Sequence, residues 1–165
     1  MRTTHAVLRV LTVAALVAGC GAAAPPSAPT TAKTVAFSLP SDDGALVSVP
    51  VSGARATVLD FFGPTCEPCK TTVPALEAKR AELAAKGAKL VLVGVLADGE
   101  STTDAKRALA SWGVTAPFLV DRDGTGKREA GVVGLPATIV IDASGTVKWV
   151  ATPTATADNV IAGVP

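Results

Sequence analysis

Two cysteines separated by two residues, Cys66-Glu67-Pro68-Cys69, stand after an apolar run and open a stretch of helix formers. That placement constrains the chain more than any other feature. Ala56 to Phe62 (A-T-V-L-D-F-F) is short, mostly apolar and contains β-formers, so it reads as a buried central strand. From Cys66 to Lys86 the chain is dominated by Ala, Leu, Glu, Lys and Arg, with Leu76, Lys79/Arg80 and Leu83 spaced by three and four. The spacing predicts a helix over 66–86, kinked at Pro74 and stopped at Gly87.

A C-x-x-C at a strand-to-helix junction has a definite chemistry. The spacing lets two sulfurs meet as a disulfide when the first Cys caps the helix and the second sits in its first turn. Unpaired N–H groups and the positive end of the helix dipole then lie near the first sulfur and favour its thiolate. The thiolate is the attacking species in disulfide exchange. Cys66 is therefore the expected nucleophile and Cys69 the resolving thiol. Pro68 is tolerated in the first turn because its missing N–H would have no partner there. Glu67, beside Cys66, should oppose its ionisation, which favours a reducing couple. Two other readings compete. Half a zinc site would need further ligands. An inert structural disulfide closing so short a loop would stabilise little.

The rest of the chain alternates strands and helices. Val35 to Pro50 reads as a hairpin turning at Asp43-Gly44. Lys89 to Leu96 is a second buried strand, and Asp98 to Trp112 a helix capped by Ser101 or Thr102. Pro117 to Val120 is a short strand, followed by a D-R-D-G turn at Asp121 to Gly124 and one helical turn over Lys127 to Gly131. Ala137 to Asp142 and Thr146 to Ala151 form a second hairpin about Ser144-Gly145, and Thr154 to Ala162 a short final helix. Such an order implies an α/β fold whose mixed central sheet is partly parallel, with helices on both faces.

The chain's 165 residues suit one domain. Its only histidine is His5, inside a segment expected to be removed. Met1 to Arg9 carries two arginines and no acid, and Val10 to Val17 is an apolar run broken by Thr12. Small residues follow, so residues 1–19 read as an export signal. The run falls short of the ~20 residues that span a bilayer. The exported chain then has no imidazole, which excludes Ser-His-Asp and Cys-His catalysis and any His-dependent metal site. No metal and no cofactor is expected. Net charge is +1 with no basic run, so nucleic acid is not an expected partner.

Leu16 to Cys20 (L-V-A-G-C) resembles the lipobox of bacterial lipoproteins. The resemblance implies that Cys20 is lipidated and anchors the chain to the membrane, leaving Cys66 and Cys69 as the free pair. Residues 20–33 hold Pro, Ser, Thr and Ala and no large apolar side chain, the composition of an extended tether. The folded domain is expected over 34–165.

From about Val35 to Val150 the chain resembles thioredoxin-like proteins, and more closely the exported TlpA/ResA type. The motifs are V-L-D-F-F before the active site, C-E-P-C itself, Pro74 five residues after Cys69, and the run G-V-V-G-L-P-A-T-I-V-I-D-A-S-G-T-V from Gly131 to Val147. The early hairpin also fits this type. The resemblance implies a cis peptide before Pro136, with the Leu135 backbone presented to substrate. It implies that Asp60 is a buried acid of raised pKa, moving protons to and from Cys69. Thr65 stands where a Trp commonly precedes the first Cys, and Thr72 where some reductive members carry Glu.

The expected function is an extracytoplasmic thiol–disulfide oxidoreductase. It would reduce disulfides in exported proteins, apocytochrome c among the candidates, with electrons from a membrane thiol-transfer reductase. Two alternatives remain. A peroxiredoxin-like peroxidase would need a Thr where Gly63 stands. A copper- or haem-maturation chaperone would use the thiols as ligands, since two thiolates can hold Cu(I).

Overall fold

The computed structural model describes residues 33–165. The expected signal segment, Cys20 and the tether up to residue 32 lie outside the described residues.

Seven consecutive buried residues make β3 (Ala56–Phe62) the centre of the sheet. It pairs in parallel with β4 (Ala88–Val95) and antiparallel with β6 (Ala137–Asp142). β5 (Phe118–Asp121) adds to β4 in parallel, and β7 (Val147–Val150) to β6 antiparallel, giving the order β5-β4-β3-β6-β7. β1 (Phe37–Pro40) and β2 (Leu46–Val49) form a separate antiparallel hairpin. The expected mixed sheet and early hairpin are both present.

Period-two alternation along β3 sorts the core into two layers. Ala56, Val58 and Phe62 face one layer with Cys69, Val73 and Leu76 of α1 (Cys69–Glu77). Leu83 of α2 (Arg80–Ala85), Leu109 of α3 (Thr102–Ser111) and Val160 of α5 (Ala157–Ala162) complete it. Leu59 and Phe61 face the other layer, closed by Phe37, Leu39 and Val49 of the hairpin and Ala130 of α4 (Thr125–Ala130). Helices therefore cover both faces. None of those among the described residues is long and apolar enough to cross a membrane.

Several expected boundaries move, each for a local reason. The single helix over 66–86 is two helices with Ala78 and Lys79 between them. Pro74 has no N–H for the Lys70 carbonyl, and at Lys79 (φ −93°, ψ 3°) the chain has left helical geometry. Arg80 spans the break. Its guanidinium donates to both Glu77 oxygens at 2.7 and 2.8 Å and to the Leu90 carbonyl at 2.9 Å.

α3 is capped by Ser101, one of the two caps expected, and its reciprocal capping box with Asp104 starts the helix at Thr102 and leaves Asp98 to Glu100 outside it. Thr156 and Asn159 do the same for α5, which therefore starts at Ala157. α4 starts at Thr125 rather than Lys127. The Asp121 carboxylate accepts the N–H of Gly126 at 3.1 Å and of Lys127 at 2.8 Å, and so fixes the first turn.

Candidate functional site

β3 ends at Phe62, and the next four residues carry the chain to Cys66. Tight turns then wind it into α1. The Cys66 N–H donates to the Gly63 carbonyl at 3.1 Å, and the Cys69 N–H to the Cys66 carbonyl at 3.2 Å. These are bonds between residues three apart, so the regular helix opens at Cys69, with Pro68 (φ −63°, ψ −26°) as its N-cap. This corrects the expectation that Cys66 itself caps the helix and that Pro68 lies inside its first turn. Cys66 stands one turn ahead, still at the N-terminal, positive end of α1.

A disulfide joins Cys66 to Cys69, with Cα atoms 5.3 Å apart. The two sulfurs differ in access. Cys66 is half-buried at the surface, whereas Cys69 is fully buried in the layer with Val73 and Leu76. An incoming group can reach only Cys66. Glu67 and Pro68 are exposed between them. The Glu67 carboxylate pairs with the Lys70 ammonium at 2.6 Å, which offsets part of its repulsion toward a Cys66 thiolate.

The Leu135–Pro136 peptide is cis and immediately precedes β6. A second cis peptide, Val49–Pro50, has no precursor in the sequence reading. Leu135 is half-buried and leans toward the cysteines. A Cβ on Gly63 would lie 3.2 Å from Leu135 Cδ1 and 3.8 Å from Cys66 Cβ. A groove of about 560 Å³ runs here, lined by Cys66, Thr65, Leu135, Val95, Glu100 and Lys127 among others.

Asp60 is fully buried on the central strand, not near an edge with access to solvent. Alternation along β3 puts it on the same face as Val58 and Phe62, the layer that holds Cys69. Thr138 Oγ1 donates to its Oδ1 at 2.8 Å, and its Oδ2 has no partner among the described residues. Burial pushes the carboxyl from its usual 3.8 up to about 7, and the Thr138 hydrogen bond lowers it only in part. At neutral pH such a group can both give and take a proton.

Three residues of this region escaped the sequence reading. Glu100 accepts from Thr65 Oγ1 at 3.0 Å and from the Ala97 N–H at 2.8 Å, tying the segment after β4 to the residue before Cys66. Lys127 reaches the same groove from α4. Asp121, fully buried, sets the position of Lys127 by holding its backbone. No local pattern announces the Thr65–Glu100 contact, because the partners are 35 residues apart. Asp121 did leave a signal: an acid closing the apolar run F-L-V-D, as Asp60 interrupts V-L-D-F-F. Among the described residues no group of three or more His, Cys, Asp or Glu could hold a metal ion.

The sequence pattern of the AhpC/TSA family matches residues 30–150. The thiol-disulfide oxidoreductase ResA of Bacillus subtilis is 30% identical over 120 residues, 73% of this chain. The chain spans 65% of that relative's length, just under two thirds. A crystal structure of a candidate thiol:disulfide interchange protein DsbE from Chlorobium tepidum superposes with a TM-score of 0.65 at 27% identity. It covers 81% of this chain and 97% of that one. StoA from Bacillus subtilis superposes with a TM-score of 0.68 at 20% identity, over 81% of this chain and 99% of its own, and shares the thioredoxin-like fold.

Proposed function

The chain belongs to the AhpC/TSA family, and from that premise we propose that it is an extracytoplasmic thiol–disulfide oxidoreductase that reduces disulfides in exported proteins. The observation that carries the reading is the asymmetry of the pair: a half-exposed Cys66 at the positive end of a helix, bonded to a fully buried Cys69. A pair built only to brace the fold has no need of one accessible sulfur beside an open groove. The names of the curated relative and of the Chlorobium structure support the same chemistry.

The reaction follows from that asymmetry. In the reduced protein the Cys66 thiolate attacks one sulfur of a substrate disulfide. A mixed disulfide forms and the first substrate thiolate leaves. Cys69, deprotonated, then attacks the Cys66 sulfur. The Cys66–Cys69 bond forms and the second substrate thiolate leaves. Two electrons pass from the dithiol to the substrate, and the two protons of the dithiol end on its thiols. Asp60 takes the Cys69 proton in the second step and returns one when the pair is reduced again. Leu135, beside the cis peptide of Pro136, offers backbone to the bound chain. A membrane thiol-transfer reductase restores the dithiol, and lipid on Cys20 holds the domain at the membrane. Apocytochrome c is one substrate this reading allows.

The peroxidase alternative finds less support. The position three before Cys66 is a buried glycine, and even a Cβ there would press on Leu135 at 3.2 Å.

The reduction potential of the Cys66/Cys69 couple tests the direction. A value near that of thioredoxin, roughly −270 mV, supports a reductase, and one near about −120 mV means disulfide introduction instead. Cys69→Ser should accumulate a mixed disulfide through Cys66, and Cys66→Ser should accumulate none. Rapid peroxide consumption by the reduced protein, or tight Cu(I) retention against a competing chelator, would replace this reading.

A further inference from the structure

We propose that the groove beside Cys66 selects an extended peptide with an acidic side chain near its disulfide, and that Lys127 is the residue that selects it. The inference rests on the thiol–disulfide reading above and names the substrate class of that same site.

Several charged groups around the groove already have partners. Both oxygens of Glu100 accept hydrogen bonds, from Thr65 Oγ1 and the Ala97 N–H. Arg122 donates to the Glu100 carbonyl at 3.4 Å. Arg128 donates to the Asp123 carbonyl at 2.6 Å and to Thr125 Oγ1 at 3.0 Å. Glu67 is held by Lys70. The Lys127 ammonium has neither a hydrogen bond nor an ion pair among the described residues, and Lys127 is a half-buried residue that lines the groove.

Lys127 is also well anchored. Its N–H is held by the buried Asp121 carboxylate at 2.8 Å. The preceding residue, Gly126, is packed so closely under the hairpin that a Cβ would lie 2.9 Å from Leu39 Cδ1. A fixed backbone leaves only the side chain free to search for a partner, so less entropy is lost on pairing.

The apolar part of the groove, Leu135, Val95 and Leu96, accepts an uncharged stretch of chain. Lys127 has no anion within ion-pair reach among the described residues, and a Glu or Asp close to the substrate cysteine supplies one; the Glu100 charge in the same groove opposes that pairing and keeps the gain small. A surface ion pair of this kind changes rates by a few-fold rather than by orders of magnitude.

The test uses the reduced full-length chain in single turnover, so its own dithiol supplies both electrons. Two disulfide-linked peptides differ only in carrying Glu or Lys beside the cysteine, and released peptide thiol is the readout. The Glu peptide should react about three- to tenfold faster at low salt, with the gap narrowing as salt rises. Lys127→Glu should invert the order, its gain on the Lys peptide showing that the variant is folded. Should Lys127→Glu be slow on both peptides, Lys127→Gln decides. Its two rates converge if the inference holds and stay apart if it fails. Equal rates on the native chain, or a faster Lys peptide, overturn the inference and leave the thiol–disulfide reading intact. Thiol release from neither peptide overturns both.

Discussion

A carboxyl group sealed in the middle of a sheet ionises only at a cost, and Asp60 is placed to pay it. Its folded pKa is about 7, against 3.8 for the free group. Between those values the unfolded chain has released this proton while the folded chain still holds it. The unfolded state therefore binds fewer protons, and stability falls as pH rises from about 4 to about 7, levelling off outside that window. At about 1.4 kcal/mol per unit the whole loss is at most about 4 kcal/mol. Asp60→Asn removes the titration but leaves a buried amide short of partners, a cost of about 1–3 kcal/mol. The variant should lose the downward slope, be no more stable than the native chain at pH 4.5, and gain on it by pH 8. Urea unfolding of the oxidised protein at both pH values checks this. A native curve that is flat across the window would argue that Asp60 is solvated. A protein that tolerates this burden on its central strand keeps a proton donor and acceptor in the layer that holds Cys69, where the proposed exchange needs one.

At the scale of elements, caps and prolines decide where each helix begins. Ser101 closes both sides of a capping box with Asp104, so Ser101→Ala should destabilise the fold by about 1 kcal/mol. The denaturant midpoint should drop with its slope unchanged, because the surface exposed on unfolding is the same. A changed slope would mean that α3 itself has come loose. Strands and helices were legible because their signals are local: apolar runs, three-and-four spacing, and a Gly where a helix ends. The break at Ala78–Lys79 was not legible. Both residues are good helix formers, and the Arg80 side chain that spans the break bonds the Leu90 carbonyl, ten residues on, which no local pattern announces. The site divides the same way. Cys66, Cys69 and Pro136 stand in contiguous motifs. Glu100 and Lys127 reach the groove only through the packing of β4, β5 and α4, so no stretch of sequence announces them.

For the whole molecule, the question is where the folded unit begins. Pairing starts before β1: the Val147 N–H donates to the Lys33 carbonyl at 2.9 Å, and the Val35 N–H to the Gly145 carbonyl at 2.8 Å. Thr34 and Thr146 form a bridge between them. Val35 is fully buried in the layer shared with Leu59 and Phe61. Gly145, at φ +85°, brings its backbone so close that a Cβ would sit 2.5 Å from the Val35 carbonyl oxygen. These contacts tie the start of the domain to the β6–β7 turn, far from it in sequence. A chain beginning at Lys33 keeps all of these contacts and is the reference. One beginning at Phe37 loses the burial of Val35, about 1.5–3 kcal/mol, and two backbone hydrogen bonds of about 1 kcal/mol each. It also leaves the Gly145 carbonyl and the Val147 N–H to find water. Comparing the two by urea unfolding should show a loss of about 3–5 kcal/mol for the shorter chain. Equal stability would mean that Lys33 to Ala36 only rests on the sheet.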